Sequence, residues 1–361
     1  MNNWKIPLDE AFLRERIGNM SQLAGLKRYM LLDGKAVGIE AVDVRAGGLE
    51  FTVLPGRGMD IAWASYKGTP LSYISKTGIV SPAYYESGGM NWLRNFFAGL
   101  LTTCGLQNVG GPCDENLPVI GESHFGLHGR ISNCASENVS LCDEWQDGKY
   151  VMSVSGRLRE AVLHGESLTL SREITTVLGE NRFCITDRVK NEGCVTQPLT
   201  LLYHFNIGYP ILDAGSRLSA ASHEVTAMST FSEQNIRSYN RCADPTAGIE
   251  EQCYAHEFIS SEDGSVSAAL INDALELGVY LSYLKEQLAC FTQWKMLKQS
   301  EYVMGLEPGN CLPQGRERLR ENGALPLIEP GEVKEFRLVF GVLDGREQIE
   351  NYDGGLPRIH S

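Results

Sequence analysis

Residues 149–159 read KYVMSVSGRLR. Tyr150, Met152 and Val154 fall on one parity and Val151, Ser153 and Ser155 on the other, the period of a strand whose two faces meet different surroundings. Working outward, the same texture recurs. It appears in GLEFTVLPG (48–56), MDIAWASY (59–66), ESLTLSREITTVL (166–178), RFCITDRVKNEG (182–193) and TQPLTLLYHFNIG (196–208). It continues through SVSAALIND (265–273), LGVYLSYL (277–284), EYVMGLEPG (301–309) and KEFRLVFGVL (334–343). Glycine, asparagine and aspartate separate these runs, and no crossover helices of similar length alternate with them. That pattern argues against a doubly wound parallel sheet and predicts an all-β chain, a large antiparallel sandwich with a few short helices.

The exception to the texture lies near the start. In LDEAFLRERIGNMSQLA (8–24), Phe12, Leu13, Ile17, Met20 and Leu23 come close to helical spacing, which predicts an amphipathic N-terminal helix. The expected organisation is a helical extension over 1–34, a single sandwich domain over 35–345 and a tail over 346–361. A polar stretch from about 215 to 262 reads as a surface insertion or a lid.

Composition narrows the functional classes. With 361 residues, 43% hydrophobic and 21% charged, the chain has ample core material. A net charge of −13 and the lack of a basic stripe disfavour nucleic acid. The N-terminus MNNWKIPLDEAFLRERIG lacks the apolar segment of a secretory signal, and no stretch is long enough to span a bilayer, so a cytoplasmic protein with no membrane partner is expected. Ten cysteines are scattered without a CxxC pair, which predicts buried thiols rather than disulfides. Cys104 is the one candidate thiol nucleophile near other suggestive residues.

Three places set ionisable side chains in apolar or glycine-marked surroundings: His128 in GLHG (126–129), His204 in LLYHFN (201–206) and Glu307 in GLEPGN (305–310). The glycines around His128 imply a bend rather than a helix. His204 follows an apolar run and needs a buried partner. Pro308 is expected to end regular pairing just after Glu307. Further polar groups sit in similar settings: Arg57 and Asp60 in LPGRGMDI, Arg94 in NWLRNFF, Arg130 beyond His128, Asn206, and Gln293 with Lys295 in FTQWKML. Arg57 and Asp60 read equally as a salt bridge, and Trp92 and Trp294 as core or as a platform for a sugar ring.

These blocks in order carry a resemblance. LPGRGMDI, WLRNFFAGLLTTCGL, FGLHGRI, LLYHFNIGYP and WKMLKQSEYVMGLEPGN, spread over about residues 35 to 343, resemble the galactose mutarotase-like (aldose 1-epimerase) superfamily, in particular a poorly characterised bacterial branch. The resemblance implies an antiparallel β-sandwich whose concave face binds a monosaccharide. It also implies His204 as general acid, Glu307 as general base, and His128 as a sugar contact, with no cofactor. Arg57, Asp60, Arg94, Arg130, Asn206, Gln293 and Lys295 are the further substrate-contact candidates. After His204 the chain reads Phe-Asn-Ile-Gly, a departure from galactose-type enzymes, so the sugar is not inherited.

The chemistry suits these residue types. Ring opening of a hemiacetal needs one proton delivered to the ring oxygen and one taken from the C1 hydroxyl. The number of basic candidates hints at an acidic or phosphorylated sugar, though internal salt bridges account for them equally. A homodimer is compatible with the sequence. Two other readings stay open: a cupin-like metal site built from His124, His128, His204 and Glu307, and a noncatalytic sugar-binding module on the same sandwich. In the leading reading His124 is a structural neighbour only.

Overall fold

The computed structural model describes residues 6–117 and 119–357. Two antiparallel sheets face each other. The larger has eleven strands, ten of them on one path: Gly25–Met30, Glu40–Arg45, Leu49–Leu54, Asp60–Tyr66, Leu101–Leu106, Thr200–Ile207, Glu301–Gly309, Cys290–Lys298, Gln252–Phe258 and Ser222–Ala227. The smaller has eight: Glu137–Gln146, Lys149–Ala161, Ser167–Val177, Arg182–Asn191, Val333–Asp344, Leu277–Leu284, Ser265–Asn272 and Arg217–Ala220. This is the sandwich that the period-two runs predict, and the helices are short.

Packing between the sheets follows strand parity. In Thr200–Ile207, Leu201, Tyr203, Phe205 and Ile207 belong to the main core, whereas Leu202 packs in a separate cluster with Trp92, Phe96 and Leu127 on the opposite face. Aromatic rings join the layers: Phe51 meets Phe183 at 4.6 Å, and Phe340 stacks on both Phe183 (5.2 Å) and Phe205 (5.7 Å). The strand is buried on both faces, so a slip of one residue would exchange Tyr203 for His204 and is strongly disfavoured.

Several local expectations are corrected. The helix expected over 8–24 is an α-helix only at Glu10–Arg14, followed by a 3-10 turn at Met20–Gln22. Gly18 weakens helix propagation, and the Asn19 side chain accepts from Ser21 N, starting a new cap. The apolar stripe still does its packing: Phe12, Ile17, Met20 and Leu23 lie against Tyr150, Met152 and Leu178. Residues 25–30, inside the stretch expected as a helical extension, form the outermost strand of the larger sheet.

The segment 215–262 is more than a surface insertion: its strands belong to both sheets, and its Met228, Ser229 and Glu251 border the cavity described below. It supplies Arg217–Ala220 to the smaller sheet and Ser222–Ala227 with Gln252–Phe258 to the larger one, crossing between the layers. Residues 346–355 form a helix whose Ile349 and Tyr352 pack on Ile271, Tyr280 and Leu343. The ends of the expected extension and tail, residues 1–5 and 358–361, lie outside the described residues. All ten cysteines are free thiols, with Cys142 and Cys194 exposed rather than buried. Among the described residues no helix is long and apolar enough to cross a membrane.

Candidate active site

Strand register brings the two key residues together. Thr200–Ile207 pairs with Glu301–Gly309 so that Leu202 opposes Gly309 and Phe205 opposes Leu306. The same register sets His204 across from Glu307, at the separation where cross-strand side chains touch. Imidazole Nε2 lies 3.2 Å from carboxylate Oε1, and both side chains are almost wholly buried. On its other side Glu307 faces Thr292, its partner in Cys290–Lys298. Gly305 is required here, because a Cβ at that position would lie 2.4 Å from Glu307 Oε1 and 2.9 Å from Trp294 Cβ.

His128 enters from a bend, not from a strand. Its backbone is left-handed, at φ 56°, and Gly129 beside it is at φ 70°. A Cβ on Gly129 would stand 2.3 Å from the Gly105 carbonyl oxygen, so the bend can press against the sheet only with glycine there. The His128 ring sits 4.8 Å from Trp92 and 6.0 Å from the His204 ring, centroid to centroid.

His128, His204 and Glu307 line one cavity of about 650 Å³. Trp92, Phe96, Trp294 and Tyr73 supply aromatic wall, and Ser75, Lys76, Thr77, Glu251, Thr292 and Glu301 supply polar groups. Glu251 accepts a hydrogen bond from Trp294 Nε1 at 2.8 Å. Lys76 pairs with Glu301, so the one cation among these lining groups is neutralised. A larger depression of about 830 Å³, over the first strands of the larger sheet around Trp63 and Asp43, holds no histidine.

Electrostatics in the cavity are dominated by desolvation, which disfavours charge. Burial, with a smaller contribution from His128, lowers His204 to about 3. Burial lowers His128 to about 4. Burial, and then the charge of Glu251, raises Glu307 well above the carboxylate range. Glu307 Oε1, His204 Nδ1 and Thr292 Oγ1 are buried without a hydrogen-bond partner among the described residues. The imidazole and the carboxyl are thus close enough to act on one ligand, each with a buried polar atom left unsatisfied beside the cavity.

Most of the other residues expected to touch substrate are elsewhere. Arg57 is fully buried, donates to Asn95 O (2.6 Å) and lies over the Phe97 ring. Asp60 accepts from Thr103 N and Oγ1 and sits 3.6 Å from Arg172, which pairs with Asp187 between the sheets. Arg94 is exposed near Glu86, and Arg130 lies 3.9 Å from Glu160. Asn206 is fully buried outside the cavity lining, with Nδ2 donating to the carbonyls of Ala98 and His204. Gln293 and Lys295 point away from the cavity, to His256 with Tyr239 and to Ser238, because Thr292, Trp294 and Met296 hold the cavity parity of that strand.

The metal-ligand set is not assembled either. His124 stands on the hairpin strand Gly121–Phe125, exposed and 2.6 Å from Asp114. No three His, Cys, Asp or Glu side chains among the described residues are grouped to hold a metal ion. Cys104 is wholly buried with its thiol pushed up by desolvation and then by Glu307, which makes it a poor nucleophile. Glu251, Thr292, Lys76 and Glu301 are the lining residues that sequence reasoning missed. For Thr292 the signal was available: it shares parity with Trp294 in the strand beside Glu307.

A family model described as "Domain of unknown function (DUF4432)" matches residues 36–342. The chain is similar to a structure from Klebsiella pneumoniae named as a candidate aldose 1-epimerase, at 22% identity and TM-score 0.85, covering 96% of this chain and 93% of that one. A galactose mutarotase-like protein from Clostridium acetobutylicum gives 12% identity and TM-score 0.63 over 90% and 99%. Galactose 1-epimerase from Lactobacillus acidophilus gives 11% and 0.57 over 90% and 100%. No curated protein matches the chain. These likenesses establish the galactose mutarotase-like fold.

Proposed function

The chain belongs to the family described as domain of unknown function DUF4432, and we propose that it is an isomerase that interconverts the anomers of a monosaccharide by acid–base ring opening, with no cofactor in the step. The observation that carries this reading is the 3.2 Å approach of His204 Nε2 to Glu307 Oε1 on the wall of a cavity of sugar size. The two oxygens that exchange protons in mutarotation are bonded to the same carbon, so acid and base must stand side by side. At 3.2 Å the two side chains leave no room for a ring between them, so the ring lies over the pair.

In the proposed cycle, His204 gives a proton to the ring oxygen while Glu307 takes the proton of the C1 hydroxyl. The bond from C1 to the ring oxygen breaks and C1 becomes a carbonyl. Rotation about C1–C2 presents its other face, and the reverse transfers close the ring as the other anomer. Imidazolium with carboxylate and imidazole with carboxylic acid hold the same number of protons, so each half-reaction converts one partition of the pair into the other. Burial disfavours both charges and favours the second partition, the one that meets the open-chain sugar.

The lining groups support an uncharged sugar as substrate. Glu251 and Glu301 are acidic and Lys76 is occupied by Glu301, so nothing there is free to balance a phosphate or carboxylate. Trp294, held by Glu251, offers an aromatic wall. The arginines that suggested an acidic sugar lie outside this lining.

The test is anomer exchange across common uncharged sugars, followed by NMR. Glu307→Gln and His204→Gln are each expected to lower kcat by roughly 10²- to 10⁴-fold with sugar binding retained. Full activity in Glu307→Gln would remove the base from the scheme.

A further inference from the structure

Behind His128 three segments outside the sheets converge: residues 107–111, the bend 126–130, and 312–316 at the start of the helix Arg316–Glu321. Asn108, which is fully buried, ties them together. Its Oδ1 accepts from Arg316 N at 2.9 Å, and its Nδ2 donates to Gly126 O at 2.8 Å and to Gly111 O at 3.0 Å. All its amide hydrogen-bonding atoms are thus committed to backbone on either side of the histidine. Arg316 locks the far end, donating to Gln107 O at 3.1 Å and to Glu115 at 2.9 Å with its guanidinium over the Phe125 ring.

Between these anchors lies Gly110. Its carbonyl accepts from His128 N at 3.0 Å and its amide N–H is directed at His128 Nδ1 at 3.4 Å. Gly110 is at φ 97°, and a Cβ there would stand 2.3 Å from the Pro313 carbonyl, so nothing but glycine brings that amide to the ring. An imidazole nitrogen facing an N–H donor must be the unprotonated one, which leaves the proton on Nε2.

We infer that Asn108 is a positioning residue: through the Gly110 amide it holds His128 in the Nε2–H tautomer, so that His128 meets the sugar as a neutral hydrogen-bond donor and takes no part in proton transfer. The role in turnover rests on the epimerase reading above; the tautomer does not. The low pKa of His128 agrees with a ring that stays neutral across the working range.

The experiment uses the full chain labelled with ¹⁵N, with long-range ¹H–¹⁵N correlation of the imidazoles recorded without sugar. A His128→Gln variant assigns the signals. In the unmodified protein His128 is expected to show the Nε2–H pattern and not to titrate between about pH 5 and 9, where an ordinary imidazole would. Asn108→Ala is expected to mix the tautomers and to raise KM roughly tenfold or more while moving kcat less, because the chemistry of His204 and Glu307 is untouched. His204 signals should stay in place.

An Nδ1–H tautomer or an imidazolium at His128 in the unmodified protein would overturn the inference, even if Asn108→Ala fails to fold. An unchanged tautomer and KM in a folded Asn108→Ala would overturn it too. Absence of anomer exchange in the unmodified protein would instead defeat the epimerase reading and leave the tautomer result standing.

Discussion

At the scale of single residues, the pair His204 and Glu307 makes a definite statement about pH. The folded pKa of His204 is depressed to about 3, so the pair takes up a second proton only near and below that value. That of Glu307 is raised, so the pair keeps its one proton well past the pH at which ordinary carboxylates ionise. Enzymatic anomer exchange, corrected for the spontaneous rate, is therefore expected to be flat through pH 5 to 7 instead of falling on the acid side. An acid limb near pH 6.5, where a solvated imidazole titrates, would contradict the burial argument. The pair behaves as one titrating unit, so the limbs of the profile belong to both groups together.

At the scale of elements, the site depends on neighbouring strands at the centre of the larger sheet. Thr200–Ile207 carries His204, the proposed acid, Glu301–Gly309 carries Glu307, the proposed base, and Cys290–Lys298 supplies the Thr292 and Trp294 walls. Gly305 is where those strands leave no room for a side chain. Gly305→Ala is expected to push the Glu307 carboxylate or Trp294 aside, costing about 1–3 kcal/mol of stability by overpacking and lowering kcat as well. Denaturant unfolding and anomer exchange measured on the same sample check both effects. Loss of stability with full kcat would show that Trp294 yields and the carboxylate does not move.

Over the whole molecule, a buried charge network fastens one sheet to the other beneath the site. Arg172, from the smaller sheet, pairs with Asp187 at 2.6 Å, donates to Thr103 Oγ1 at 2.8 Å and stands 3.6 Å from Asp60 of the larger sheet. Tyr203, the neighbour of His204 in sequence, donates to Asp187 at 2.7 Å from the opposite face of its strand. Arg172→Ala leaves buried carboxylates unpaired and is expected to cost about 3–5 kcal/mol, read from the urea midpoint. A change below about 1 kcal/mol would mean that the neighbouring carboxylates neutralise themselves by taking up protons.

How much of this was legible in the sequence divides along one physical line. The alternation in KYVMSVSGRLR and the other β-like runs follows from side chains pointing to opposite faces of a pleated strand, a local rule, and it predicted the sandwich. The bend at His128 was legible too, because its glycines state a backbone conformation. The sequence left open which ladders sit beside which, and at what register. Arg57 and Asp60 looked like ligand contacts until their partners, Asn95 and Arg172, were known; Gln293 and Lys295 were one residue off the cavity parity; Glu251 carried no local mark at all. Strand propensity is settled among adjacent residues, but the approach of His204 to Glu307 is settled by pairing between strands far apart in the chain, and only the folded sheet decides that.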